Sequence, residues 1–387
     1  MRLIEDFNTL PSLRFISGSR IVINVWNRRD ITHSIDECIR IKSLEGFNRA
    51  WEEIEDRVKA FIQRIEGVPR DLLKEMKAIS PFIGVQISSI RLFAYFAPDS
   101  TYTELDFPIT YWTAYGTVDI KRQEELLARS NMISTVLRYN LACNDCFEEI
   151  VEELFDLFSP VQKEVFQTFQ NSELVSYWTH RQSNDLSTYE NLISHDIHVM
   201  EHNYSAHQFA FLYSLLTRNK MGIEYFLNFL SRKNYELVVE NHGHLIADQC
   251  HETVIHRAPI YARPDEHLED AVYFLLSKLN EHERMQFLRK SPYKLLRLFL
   301  NYPFFGIFST YVKLLIEDLE WQDISLLLNY IHTLEKLRTH FFGLSLFNDL
   351  WRICPQSAKT DIKTNNENHE LYAESDFLSL LERIRLA

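Results

Sequence analysis

Between Leu268 and Leu328 the apolar residues return every three or four positions, and a polar bend closes each run before the next begins. Leu268, Val272, Leu275, Leu276 and Leu279 form the first run, with the period of one helix face. Asn280 and Glu283 then supply an N-cap oxygen and its acidic N3 partner, so one helix ends and another starts there. Ser291 and Pro292 restart the chain, because proline at the first helical position has no N–H to lose. Leu295, Leu296, Phe299 and Leu300 continue the pattern until Pro303 interrupts it. Ile307, Tyr311, Leu314, Leu315 and Leu319 follow, and Ile324, Leu327, Leu328 and Ile331 open another stripe. Stripes of this kind are buried only by laying each helix against its neighbour, and short turns between them make helical hairpins.

Similar bends begin at Ser159, Ser231, Asn280 and Glu320, separated by 72, 49 and 40 residues. An irregular repeat of about forty residues falls in the range of helical solenoids. The expected fold is therefore all-α: an irregular α-solenoid of stacked helical hairpins, elongated or curved. Residues 1–97 read as an N-terminal helical part. Residues 98–117, with Pro98, Pro108, Gly116 and no helical period, read as a loop or seam with a short extended segment. Residues 118–355 read as the hairpin array, and 356–387 as a polar tail with a short C-terminal helix around Phe377, Leu380, Leu381 and Ile384.

Local signals place several helix starts. Ser159, Pro160 and Gln162 combine a cap, an N1 proline and an N3 amide. Ser187 with Glu190 and Ser205 with Gln208 both have capping-box spacing, Ser80 and Pro81 read as a further start, and Gly222 reads as a C-cap.

The nine glycines are never closer than seventeen residues. That spacing excludes the Gly-rich phosphate loop, the dinucleotide fingerprint and the nucleophile elbow, each of which needs paired glycines. The net charge of −13 argues against nucleic acid and against an anionic membrane surface. It is compatible with a basic protein partner. The five cysteines are scattered and odd in number, so no disulfide framework is expected. Cys143 and Cys146 read as small residues in a packed helix. Residues Met1 to Asp6 carry no apolar leader and no uncharged run exceeds 15 residues, so the expectation is a cytoplasmic protein with no membrane span.

Histidine is the one positive anomaly, with eight of fifteen between His195 and His256. On one continuous helix His195, His198 and His202 would lie within about 60° of one another, opposite Ile193, Ile197, Met200 and Tyr204. A solvated polar face explains that spacing, and a divalent metal on His195, His198 and His202 is the alternative. His251 and His256 are five apart, which breaks the metalloprotease spacing of four. His195 with Asp196 resembles the pair of helical phosphohydrolases, but the further His and Asp are not at suitable spacing.

Pro11 to Ile16 resembles the start of a SOCS-box helix, found in ubiquitin-ligase adaptors. The chain departs from that pattern at Ser17 and Gly18, where Cys and Arg would be expected.

These observations give a non-catalytic helical-repeat protein acting as a protein–protein interaction scaffold, with no cofactor. The expected contact residues are the aromatic groups at the interruptions: Tyr102, Tyr111, Trp112, Tyr115, Tyr302, Phe304 and Phe305. A metal-dependent hydrolase using the His195–His256 region, and an adaptor of a ubiquitin-ligase complex, are the alternative readings.

Overall fold

The computed structural model describes residues 6–7, 10–96, 111–131, 133–168, 172–248, 268–336 and 343–366. Among these residues the chain forms 22 helices and no strand, so the fold is all-α. An isolated antiparallel bridge joins Trp112 and Val118.

Helices α1 (Leu13–Trp26), α2 (Arg29–Ile39), α3 (Leu44–Gln63) and α4 (Arg70–Phe96) pack around one apolar cluster. Ser12 caps α1 by accepting from Phe15 N at 3.2 Å. Trp26 is the centre of this layer. Its ring stacks 5.6 Å from Trp51, and its Nε1 donates to the Ser80 carbonyl at 3.0 Å. The helix start expected at Ser80 and Pro81 is not there, because α4 runs straight through Pro81. An interior proline costs roughly 3 kcal/mol, but Met76, Ile79, Ile83 and Ile87 are all buried on the same helix. Tertiary burial outweighs the local signal.

The expected seam is described only from residue 111. Thr113 N donates to Thr117 O at 2.9 Å around a left-handed Gly116 at φ 73°, and Asp119 N donates to Tyr111 O at 3.0 Å. This is a short extended turn, as anticipated, and residues 98–110 lie outside the described residues.

Three helix triplets follow α5 (Ile120–Arg129). They are α6 (Thr135–Asn144), α7 (Glu148–Phe155) and α8 (Pro160–Gln167); α9 (Glu173–Gln182), α10 (Leu186–Ile193) and α11 (Ile197–His202); and α12 (Ala206–Leu216), α13 (Lys220–Phe229) and α14 (Arg232–His242). In each triplet the first helix ends in the same way. A non-glycine residue turns left-handed at Cys146 (φ 55°), Asn184 (φ 54°) or Arg218 (φ 56°). The following N–H then reaches back five residues, from Phe147 to Ala142, Asp185 to His180 and Asn219 to Ser214, each at 2.9 Å. This is the Schellman arrangement, and it recurs after 38 residues (184 − 146) and 34 residues (218 − 184).

The first helices of the triplets alternate in direction. Asn144 of α6 meets Ser172 at the head of α9, while Tyr139 meets Thr179 further along at 3.0 Å. α9 therefore runs antiparallel to α6, and α12, whose C-terminal residues meet the head of α9, runs parallel to α6.

The rest of the described chain comprises α15 (Leu245–Asp248), α16 (Leu268–Lys278), α17 (Glu281–Lys290), α18 (Pro292–Leu298), α19 (Phe305–Leu315), α20 (Trp321–Lys336), α21 (Gly343–Ile353) and α22 (Gln356–Asn366). These pack with the triplets around a second, larger cluster. Residues 356–366, read from the sequence as tail, form α22, because Ala358 and Ile362 are buried on one face of it. The C-terminal helix expected around Phe377 lies outside the described residues.

Capping boxes are present at Ser159, Ser205 and Asn280, as the spacing predicts. The one expected at Ser187 is not. Asp185 caps α10 instead, and Glu190 accepts from Ala206 N at 3.1 Å. Gly222 is not a C-cap either. It sits in the first turn of α13, where a Cβ would lie 2.4 Å from Ser214 Oγ.

The junction of α1 and α4 offers a direct test of the N-terminal layer. A Cβ at Gly84 would lie 2.4 Å from Trp26 Cζ2. Gly84→Ala therefore forces the indole out of its well, and overpacking of this kind costs about 1–3 kcal/mol. Urea unfolding should show a lower midpoint with an unchanged slope. A midpoint at or above wild type would contradict the packing described.

Candidate binding cleft

Six helix ends and one turn meet at a single concavity of about 490 Å³, within the range of ligand sites. Its walls are Asp119, Lys121 and Glu124 at the head of α5, Asn144 and Asp145 at the foot of α6, and Ser172 and Leu174 at the head of α9. Tyr213, Thr217 and Arg218 at the foot of α12, Asn219, Lys220 and Glu224 of α13, and Asp270 of α16 complete them.

The ends are clipped together through Asn144. Its side-chain oxygen accepts from Ser172 Oγ at 2.7 Å, and its carbonyl accepts from Asn219 Nδ2. Ser172 and Asn219 are also the N-caps of α9 and α13, accepting from Leu174 N at 3.2 Å and Gly222 N at 3.0 Å. The same polar side chains that start two helices thus fix the third helix end against them.

Two residues at the cleft each keep one buried polar atom without a hydrogen-bond partner among the described residues. Asp145 is 6% exposed, and no donor reaches its Oδ2 among the described residues. Burial first, and then the neighbouring Glu124, by its charge and by a side-chain hydrogen bond, push the Asp145 carboxyl well above the usual carboxylate range. Arg218 donates from Nε to the Ile246 carbonyl at 3.0 Å, while its buried Nη2 has no acceptor. Lys121, by contrast, is paired with Glu224 at 2.9 Å.

The aromatic residues expected to form a contact surface are placed differently. Tyr302 stacks 4.7 Å from Phe82 and donates its hydroxyl to the Tyr115 carbonyl at 2.6 Å. Phe305 meets Phe82 edge-on at 6.0 Å, and Phe304 stacks on Tyr273 at 5.0 Å. Trp112 is buried in the N-terminal cluster, Tyr115 is partly buried against the larger one, and Tyr111 lies under the Arg122 guanidinium at 6.0 Å. Tyr302 and Phe305 join the N-terminal layer to the later helices through Phe82, and Phe304 packs within the larger cluster. They are packing residues, because the interruptions in the helical pattern are where the two clusters touch. Tyr102 lies outside the described residues.

The histidines also depart from expectation. The chain breaks at 194–196, and Asp196 caps α11 by accepting from His198 N at 2.9 Å. That break resets the helical phase. Ile197 and Met200 are 59% and 62% exposed, and His198 and His202 turn inward instead. They meet His242 of α14 with ring centres 4.8 Å and 5.0 Å apart, while His195 is exposed and separate. Tyr204 stacks on His202 at 5.3 Å, and Asn241 Nδ2 donates to the Tyr204 hydroxyl at 3.3 Å. Among the described residues no three His, Cys, Asp or Glu side chains are arranged to hold a metal. His251, His256 and Cys250 lie outside them. Cys143 and Cys146 are buried, and burial holds both thiols protonated, Cys146 with a pKa pushed up to about 12.

The stretch resembling a SOCS-box helix forms the start of α1, with Leu10 and Leu13 more than 80% exposed. Gly18, where the resemblance requires an arginine, packs towards α4, with Leu72 and Met76 at 3.4 Å and 3.5 Å from the position of its missing Cβ.

His242 gives stability a pH dependence. Burial, then the charges of His198, His202 and His244, push its pKa down from 6.5 to about 4, with Asp196 opposing. The unfolded chain takes up a proton near 6.5 that the folded chain refuses until about 4. The stabilisation is complete above 6.5 and is lost as pH falls towards 4. Urea midpoints should fall across that interval by an amount equivalent to roughly 1–2 kcal/mol. His242→Gln should flatten that part of the profile, and an unchanged slope in the variant would assign the loss to other groups.

No family model matches the chain, and comparison with curated proteins finds no match.

Proposed function

We propose that this chain is a non-catalytic scaffold built of helical hairpins, and that the cleft among α5, α6, α9, α12 and α13 receives a segment of a protein partner. The array is an irregular α-solenoid in this reading, its irregularity coming from the alternating directions of α6, α9 and α12. The observation that carries the proposal is the concavity of about 490 Å³ itself, where the ends of six helices bring polar and charged side chains from distant parts of the chain into one lining. A cleft of that size is within the range of binding sites. The contributing residues come from five separate stretches of the chain, so the site exists only when the helices are assembled. Neither His nor Cys lines the cleft, which removes the commonest proton shuttle and nucleophile from it.

A photo-crosslinking residue placed at Thr217, exposed on the cleft wall, tests this. The same residue at Thr360, exposed on α22, is the control. Thr217 should give a discrete protein adduct in the cells that express the chain, and the purified partner should then titrate at a fixed stoichiometry. Equal adducts from both positions, or none from Thr217, would count against a scaffold working through this cleft.

A further inference from the structure

We propose that α11 is a latch released by acid: it lies docked on α14 while His198, His202 and His242 are neutral, and it undocks when they take up protons, with the helices on either side staying packed.

α11 is built inside out. Ile197 and Met200 are exposed, and the inner side of the helix carries His198, His202 and a single buried apolar residue, Val199. Six residues are too few for a helix to hold itself in water, where about 12–15 are needed. Its position therefore depends on what its inner face touches. That face meets His242 through two edge-on ring contacts, at 76° and 78° between planes, and His202 also stacks on Tyr204. Turns stand at both ends: the bend at 194–196 before it, and Asn203, left-handed at φ 53°, after it. The neighbouring helices have anchors of their own. Tyr189 and Ile193 are buried on α10, and Phe209, Phe211 and Leu212 on α12.

The contacts of the inner face call for neutral rings. Asn241 Nδ2 can only donate, and it reaches His202 Nδ1 at 3.4 Å, so that nitrogen presents a lone pair. His242 is 5% exposed, and its Nε2 has no partner among the described residues. A proton taken up there would place a buried charge 4.8 Å and 5.0 Å from two further rings that titrate over the same range.

The surrounding groups give that charge little relief. Asp196 is engaged as the cap of α11, accepting from His198 N at 2.9 Å. Glu201 is largely in solvent, 3.9 Å from His202 Nε2. On α14, Glu236 pairs with Arg232 and Glu240 is exposed. His244 follows α14, Lys290 of α17 donates to the Glu240 carbonyl at 2.8 Å, and Arg218 donates to the Ile246 carbonyl at 3.0 Å. α12 turns the neutral Gln208 towards α14, bonded to the Asn234 carbonyl at 3.3 Å, and its His207 to Tyr177 at 2.8 Å. Burial first, then the charges of His198, His202 and His244, depress the His242 pKa from 6.5 to about 4, with Asp196 opposing. Undocking frees the ring from these neighbours. The undocked state therefore holds more protons, and it gains on the docked state as pH falls from 6.5 towards 4.

Hydrogen exchange of the full chain, read by mass spectrometry at about pH 7.5 and about pH 5, brackets the free imidazole pKa of about 6.5. A peptide spanning 197–203 contains the amides of Met200 and Asn203, bonded to Asp196 O and Val199 O. It should be protected at the higher pH and exchange like an unstructured chain at the lower, where α13 should remain protected at least tenfold. His242→Gln, and separately His198→Gln combined with His202→Gln, should keep α11 protected at both pH values. His195→Gln, at an exposed position, should behave as wild type. A variant that loses protection of α13 at the higher pH has not folded, and the other then decides. Protection of α11 in the wild type that is the same at both pH values, or acid exposure of α13 along with α11, would overturn the proposal. So would acid release that survives the substitutions. Release at the higher pH in both variants would make ring shape rather than ring charge the lock, and would overturn it too.

Discussion

Asn144 joins three helix ends with two acceptor atoms. Ser172 Oγ donates to its side chain, Asn219 Nδ2 donates to its carbonyl, and both donors are themselves N-caps. Each such bond contributes only about 1 kcal/mol net. The stability of this region comes instead from the buried faces of α6, α9 and α12, with Tyr139, Tyr177, Trp178 and Phe211 fully enclosed. Apolar burial has little directional preference, so helices held by it alone can slide. The asparagine clip sets how far each helix end extends, and with it where Asp145 and Arg218 stand.

The same division explains what the sequence could and could not reveal. Ser159, Ser205 and Asn280 act within four residues of themselves, so their spacing is enough to identify them. Ser80, Ser187 and Gly222 carry equally good local signals, and each is overruled by something distant. Trp26 and the isoleucines of α4 carry the helix past Ser80 and Pro81. Asp185 takes the cap ahead of Ser187, and Ser214 leaves no space for a Cβ at Gly222. The cleft was not legible at all. Its two key residues are 73 positions apart (218 − 145), and the turns that bring them together pass through Cys146 and Arg218 in a conformation usually marked by glycine or asparagine. Only Asn184, among the three turns, carries that mark.

The histidines show how a single bend can invert a periodicity argument. Counting 100° per residue from Ile193 places Ile197 and Met200 inward and the imidazoles outward. Asp196 interrupts the count by capping a new helix, and the phase restarts at Ile197. The three-residue break at 194–196 ends one helical phase and starts another. His198 and His202 then face the buried His242 of α14, and His202 also stacks on the buried Tyr204 just ahead of α12. The residue types were correctly grouped, but the face on which they lie depends on a cap that only the folded chain identifies.

Alternation of direction is what brings unlike helix ends together. In a stack of translated copies, feet lie beside feet, and each helix end meets only its equivalents in neighbouring units. Here α9 is reversed between α6 and α12, so the head of one helix is enclosed by the feet of two others. Free N–H groups of the head and free carbonyls of the feet are brought to one place, and capping side chains gather there to satisfy them. A concavity rich in polar side chains follows from that geometry without any dedicated loop. The surplus acid in its lining matches the sign of the chain's net charge of −13.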